Sequence, residues 1–137
     1  MSVEKSKQGK NKFNLFDKTS RMASHTIRIT KNSNVFDPEI SISVLEEIRV
    51  TAVRIHILCW RANDIKVPET DNRKQIEARM KLQYEALRLC TDLKALINLS
   101  KPLYHVNGKK IRNWMRMVLE VQSLIAKWRE SDRERIK

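Results

Sequence analysis

The sequence contains little glycine and proline, the residues that mark turn-rich folds. Two Gly and three Pro occur in 137 residues, among long runs of Leu, Ile, Lys, Arg and Glu. This composition favours an all-α fold over a turn-rich β fold, and the length is that of a single domain. Two glycines are also too few for a Gly-rich phosphate loop, which argues against nucleotide hydrolysis.

Long hydrophobic runs are missing as well. No segment approaches the roughly 18 uninterrupted apolar residues of a transmembrane helix, and no lipidation motif is present. The basic N-terminal stretch is not followed by the apolar core of a signal peptide. The sequence therefore predicts no membrane partner, although attraction to an anionic membrane surface is a competing interpretation of its charge.

Cysteine and histidine are too few and too scattered to suggest a metal site. Cys59 and Cys90 fall at apolar helical positions, which indicates small buried hydrophobic residues in a reducing, cytoplasmic protein. His25, His56 and His105 lie in three different segments, and no CxxC or HxxxH pair is present. We expect neither a bound metal nor another cofactor.

Positive charge is the abundant feature, and it is concentrated at the two ends of the chain. The chain has 28 Lys and Arg against 16 Asp and Glu, for a formal net charge of +12. Residues 1–31 and 101–137 each carry a net +6, whereas residues 32–100 are neutral. Such a distribution attracts polyanions, of which nucleic acid is the most common partner of a basic protein.

The spacing of apolar residues predicts an antiparallel four-helix bundle over residues 13–137, preceded by a disordered basic tail at residues 1–12. Asp37-Pro38-Glu39 is a helix-start signal, Lys101-Pro102 a helix-stop signal, and Asn107-Gly108 a turn signal. The four predicted helices run over about residues 14–31, 37–64, 72–100 and 109–135.

The last predicted helix has the clearest pattern. Its apolar residues recur at steps of three and four, which places them on one helical face; they are Ile111, Trp114, Val118, Val121, Ile125 and Trp128. This face is expected to form the seam of the bundle.

The second predicted helix carries a second apolar stripe besides its core-facing one. A helix that is apolar on two sides is rarely left half in water. Either the weakly apolar first helix or a neighbouring subunit could cover the second stripe, and we expect an oligomer interface. Its residues are Val50, Val53, Ile57 and Trp60.

Cationic residues crowd the first turns of the third and fourth predicted helices, where they oppose the helix dipole. A solvated face that keeps the protein dispersed is the simpler interpretation, but the net charge favours nucleic-acid binding. Because no base-reading module is recognisable, binding should be mainly to phosphate and sensitive to salt. The predicted nucleic-acid-binding residues are Arg73, Lys74, Arg79, Lys81, Lys109, Lys110, Arg112 and Arg116.

One catalytic alternative comes from Arg49 and His56, which lie on the same side of a helix two turns apart. An Arg followed by His at this distance resembles the motif of HEPN ribonucleases, which are also small helical bundles. In that chemistry an imidazole moves a proton while a cation holds the phosphate. Val50 stands where those enzymes usually carry a polar residue.

A set of residues at helical spacing extends over the third and fourth predicted helices: Gln83, Ala86, Cys90, Leu93, Leu96, Ile97, Ile111, Trp114, Val118, Val121, Ile125 and the segment Lys127-Trp128-Arg129 with Ser131, Asp132 and Arg135. Together with Thr26–Phe36 and Arg61-Ala62-Asn63 upstream, this pattern of helix faces resembles the accessory variability determinant (Avd) family of diversity-generating retroelements. The resemblance covers about residues 14–136, and part of it is shared with the intervening-sequence proteins of ribosomal RNA genes.

This resemblance implies a basic four-helix bundle that assembles as a homopentamer. It also implies binding to the reverse transcriptase of the element and to its template RNA, and with them a role in mutagenic cDNA synthesis. The expected function is therefore that of a non-enzymatic accessory protein that binds RNA, and by the same chemistry DNA. A HEPN-like ribonuclease, a general RNA-binding bundle and a scaffold that binds protein alone are the alternatives.

Overall fold

The computed structural model describes the backbone of residues 2–137 and the side chains of residues 14–137. The backbone forms four α-helices, which confirms the predicted all-α bundle: α1 (Ser2–Lys31), α2 (Ile42–Asp64), α3 (Arg73–Tyr104) and α4 (Gly108–Glu134). Helix α1 begins earlier than the predicted residue 14. The disordered basic tail predicted over residues 1–12 lies outside the described side chains and stays a prediction.

The helices pack in chain order around a square. Helix α1 packs against α2 and α4, and α3 packs against the same two helices, so that α2 and α4 occupy one diagonal. We call the end that contains residues 32–41 and 105–107 the upper end, and the end that contains residues 65–72 and 135–137 the lower end. Within the described part of the chain, none of the helices combines the length and the hydrophobicity that crossing a bilayer requires.

The predicted start of α2 at Asp37 is wrong. The Asp37 side chain accepts a hydrogen bond from the backbone N–H of Glu39 (3.0 Å) in a turn, and the helix begins five residues later at Ile42. The hydroxyl of Ser41 accepts from the backbone N–H of Val44 (3.4 Å) and caps the helix. Both Asp and Ser are good N-caps, so local sequence does not distinguish between the two positions.

The predicted end of α3 before Pro102 is also wrong, because the helix continues to Tyr104. Proline removes one backbone donor, and this costs least in a last turn that packing holds in place. Here the Tyr104 ring is 6% exposed and its hydroxyl donates to the backbone carbonyl of Ser41. His105 then ends the helix in the left-handed conformation, with φ of 57°.

The seam of α4 is buried as the spacing predicts, and Trp114 is 0% exposed. The facing side of α1 is different, because it buries the three hydroxyls of Thr19, Thr26 and Thr30 among its apolar residues. Each hydroxyl meets a polar group of another helix. The indole Nε1 of Trp114, for example, donates to Oγ1 of Thr26 (2.9 Å). Helix α1 is thus held partly by matched hydrogen bonds, which replace the missing apolar contacts.

Candidate nucleic-acid interface

The eight predicted nucleic-acid-binding residues do not form one surface. Helices α3 and α4 are antiparallel, so the first turns of α3 lie at the lower end and the first turns of α4 at the upper end. Helix α4 has 27 residues and is about 40 Å long at 1.5 Å per residue. The two predicted cationic clusters are separated by most of that length and must be considered individually.

At the lower end, Arg79 is not a surface residue. Its side chain is 4% exposed, and Nη1 lies 3.1 Å from Oδ1 of Asp132, whose side chain is fully buried. Nη2 of Arg79 also donates to the backbone carbonyl of Ile65 (2.8 Å), and Nε2 of Gln83 donates to Oδ2 of Asp132 (2.8 Å). The prediction that Arg79 contacts nucleic acid is therefore wrong. Its charge is used inside the bundle, between α3, α4 and the α2–α3 loop.

The buried network also shifts the pKa of the Arg79 guanidinium. Burial lowers the pKa of the Arg79 guanidinium from its usual value, while the adjacent Asp132 carboxylate opposes that shift. Arg135 adds a second cation on the same carboxylate, with Nη1 at 3.3 Å from Oδ1.

The sequence contains a signal for the pair formed by Arg79 and Asp132. Arg79 keeps helical step with Gln83 on the seam of α3, and Asp132 keeps step with Trp128 on the seam of α4.

The other lower-end cations remain on the surface. Arg73 forms an exposed ion pair with Glu77 one turn later (3.4 Å). Lys74 and Lys81 are exposed and form no ion pair with side chains of residues 14–137. The lower cluster thus presents two unpaired cations beside a paired one, which gives it a weaker field than the sequence predicted.

At the upper end, all four predicted cations are exposed. Lys109, Lys110, Arg112 and Arg116 occupy the first turns of α4, and none forms an ion pair with a described side chain. Two cationic head groups, those of Arg112 and Lys101, also lie close to the same residue, Gly108. A Cβ atom built on Gly108 would lie 3.4 Å from Nη1 of Arg112 and 3.9 Å from Nζ of Lys101. Two cationic head groups near one point, with no carboxylate between them, repel each other and would be relieved by an anion.

The absence of acidic residues extends this surface beyond the predicted residues. No Asp or Glu occurs between Asp17 and Asp37 or between Asp92 and Glu120. These two segments supply the upper part of α1 and the upper parts of α3 and α4. We define their cations without an ion pair to a described side chain as the upper cationic surface: Arg28, Lys31, Lys94, Lys101, Lys109, Lys110, Arg112 and Arg116.

The upper cationic surface is one-sided. The acidic residues of the upper end, Glu46 and Glu47, belong to α2, and Asp37 and Glu39 belong to the loop that precedes it. Helix α2 lies diagonally across the bundle from α4. The positive field is therefore strongest over α4 and its flanking helices α1 and α3, where a polyanion would approach without meeting carboxylates.

Arg49 and His56 both point towards α1 and each has a partner there. Nε of Arg49 donates to Oγ1 of Thr30 (2.8 Å) and Nη2 donates to the backbone carbonyl of Thr30 (2.9 Å), which caps the end of α1. Nδ1 of His56 lies 2.6 Å from Oγ1 of Thr19, and partial burial lowers the His56 pKa. These contacts join α2 to α1 and give both side chains a structural role.

The second stripe of α2 is on the surface, as its spacing predicted. Val50, Ile57 and Trp60 are 54%, 41% and 53% exposed, and Val53 between them is half-buried. Trp60 also packs against Phe16 of α1, with ring centroids 5.3 Å apart. Large apolar side chains in a row on one helix face form the kind of patch that proteins use for association.

The two cysteines are buried, and no group of three metal-binding side chains comes together among the described residues. Burial raises the pKa of both the Cys59 and the Cys90 thiols to about 12. Such thiols stay protonated near neutral pH and are poor nucleophiles and poor metal ligands.

Comparison of the chain with protein-family models, with curated proteins and with solved structures found no match. The features of the molecule that point to a function are the upper cationic surface and the exposed stripe of α2.

Proposed function

We propose that the protein is a non-enzymatic accessory protein that binds nucleic acid through the upper cationic surface. The observation that carries the proposal is the unneutralised charge of that surface: eight cations without an ion pair to residues 14–137, on segments that contain no acid. Maintaining like charges close together costs stability, and a polyanion removes that cost by neutralising them.

The resemblance to Avd proteins supplies the specific form of the proposal. In that form the nucleic acid is the template RNA of a diversity-generating retroelement, and the second partner is its reverse transcriptase. The exposed stripe Val50, Val53, Ile57 and Trp60 supports self-association, and the resemblance suggests a pentamer. An oligomer would repeat the upper cationic surface and increase its avidity for one long polyanion.

The RNA-binding surface can be tested by charge reversal at defined positions. Replacing Lys109, Lys110, Arg112 and Arg116 together by Glu should lower RNA affinity by orders of magnitude at low salt and flatten its salt dependence, while the helix content is retained. The matched control reverses four other exposed cations, Arg54, Arg61, Arg88 and Lys127, and so changes the net charge equally. If both variants lose affinity equally, binding follows total charge and the proposed surface is wrong.

Self-association and the partner enzyme need separate measurements. Ile57→Asp should shift the protein towards monomer in sedimentation velocity, whereas Leu99→Asp, at another exposed apolar position, should leave the distribution unchanged. The specific form of the proposal requires that the protein bind a retroelement reverse transcriptase and stimulate its cDNA synthesis on template RNA. A protein that binds RNA but has no effect on such an enzyme would retain the general RNA-binding function and lose the specific one.

A further inference from the structure

The upper cationic surface lacks the side chains on which single-stranded bases stack. The aromatic residues of the upper end are Phe36, Tyr104 and Trp114, and they are 0%, 6% and 0% exposed. The exposed aromatic rings of residues 14–137, Trp60 and Tyr84, lie in the lower half of α2 and α3. Proteins that bind single strands combine a basic groove with exposed aromatic side chains. Here the basic surface and the exposed rings are separated.

The structure shows why the upper aromatic rings are unavailable. The Phe36 ring packs edge-to-face against Tyr104 (5.2 Å between centroids) and against Trp114 (5.9 Å). Together these rings close the upper end of the hydrophobic core. Exposing one of them to stack on a base would open the core, so this arrangement fixes them inside. The imidazole of His105, at the α3–α4 turn, is the exposed ring that remains nearby.

The upper cationic surface also lacks an element that could enter a groove. Helix α4 is flanked by α1 and α3, and packed helices lie about 8–10 Å apart. A helix embedded in this way does not protrude, whereas reading the major groove of DNA requires an inserted helix or β-ribbon. The major groove of an RNA duplex is too deep and narrow for side chains. Contacts are therefore expected to be with phosphates.

The cations are held at regular intervals on a rigid support. Lys109, Arg112 and Arg116 recur at steps of three and four residues along α4, which covers about 10 Å of helix. A shallow groove between α3 and α4 lies beside them and is lined by Asn98, Ile111, Arg112, Met115, Arg116 and Leu119. A duplex presents phosphates at fixed positions to such a surface, whereas a single strand has to be ordered first, with no stacking to offset the entropy lost.

We infer that the upper cationic surface binds double-helical nucleic acid, through its phosphates and independently of sequence, in preference to single strands. This inference rests on the proposed function and specifies the class of nucleic acid. Folded RNA and double-stranded DNA both present a duplex phosphate backbone, and either can therefore be the ligand.

The test compares probes of equal charge. Binding of the full chain to a perfect hairpin RNA, a duplex DNA and an unstructured single-stranded RNA, all with the same number of phosphates, would be measured by fluorescence anisotropy over a range of salt. We expect the duplexes to bind about tenfold or more tightly than the single strand, because only the single strand loses ordering entropy without stacking. Equal or tighter binding of the single strand would overturn the inference and leave the proposed function intact. Failure of every probe to bind would overturn both.

Two variants test which side chains determine the affinity for duplex and for single-stranded nucleic acid. Arg112→Gln with Arg116→Gln should reduce the slope of log affinity against log salt by about 2 for duplex DNA, since each neutralised phosphate contributes about 0.9. Tyr84→Leu, at an exposed ring outside the self-association stripe, should leave the affinity for the single strand unchanged. A loss of single-strand affinity in the second variant would reveal a stacking surface in the lower half and contradict the inference. Comparison of the two duplexes identifies the source, since binding to RNA alone would indicate recognition of A-form geometry.

Discussion

The two ends of the α3–α4 hairpin differ in how many of their cations are paired, although Lys74 and Lys81 at the lower end also form no ion pair with a described side chain. At the lower end Arg79 is buried against Asp132, Arg73 pairs with Glu77, and Arg133 pairs with Glu130. At the upper end the cations of both helices have no acidic partner among residues 14–137. A count of Lys and Arg therefore predicts a binding surface poorly. The absence of nearby Asp and Glu is the more informative signal, because neutralised cations produce little external field.

At the lower end, Asp132→Ala should destabilise the protein strongly, by about 3–5 kcal/mol. The substitution leaves the guanidinium of Arg79 buried without its carboxylate, and Gln83 without an acceptor. Urea-induced unfolding measures the loss. The matched control is the double variant Arg79→Met with Asp132→Leu, which replaces the pair by apolar groups and should recover much of the stability. A single variant that unfolds like the wild type would show that the pair does not hold the lower end together.

An intermediate effect of opposite sign is expected at the upper end. Lys109→Glu places an acid in the first turn of α4 and should stabilise the protein by about 0.3–1 kcal/mol at low salt, because it favours the helix dipole and reduces repulsion between cations. The same variant should bind nucleic acid more weakly. Arg73→Gln, in the first turn of α3, is the control and should change stability by no more than about 0.5 kcal/mol. If Lys109→Glu destabilised the protein, the idea that the cations of the upper end reduce its stability would be wrong.

A weaker response is expected from the pKa values of two histidines, which added salt should change to different extents. Burial lowers the pKa of both His25 and His56 below the ordinary value of 6.5, and the charge of Arg28 lowers the pKa of His25 further. Because the unfolded chain binds these protons at higher pH, stability should decline as the pH falls below 6.5. Added salt screens Arg28, so it should raise the pKa of His25 and leave that of His56 nearly unchanged. NMR titration at several salt concentrations measures the two pKa values. Equal changes in both would contradict the idea that unneutralised cations act on His25 at the upper end.

Much of the fold follows from sequence spacing, and the failures have physical causes. The seam of α4 was predictable because Trp114 and Trp128 recur in helical step with four aliphatic residues, and such a face has to be buried. The start of α2 was not predictable, since Asp37 and Ser41 are equally good caps. Phe36 lies in a loop without periodicity, and its complete burial depends on Tyr104 and Trp114, which are distant in sequence.

The candidate site was predictable in part. Lys109, Lys110, Arg112 and Arg116 were found from their density on α4, and the structure places them together on the surface. Lys101 was missed because it lies beyond a predicted helix end, although the acid-free segment that contains it is visible in the sequence. Helix topology then separated the two predicted clusters, which no local pattern could do.

Periodicity and composition act locally along each helix, so the sequence alone is sufficient to predict the all-α architecture, the apolar seams and the unequal distribution of charge. Tertiary structure decided which cations remain free. Arg79 and Arg112 are the same residue type near the starts of adjacent helices, yet one is buried against Asp132 and the other lies exposed beside Lys101. The difference depends on which side chains of another helix face each guanidinium, and only the packing of antiparallel helices sets that.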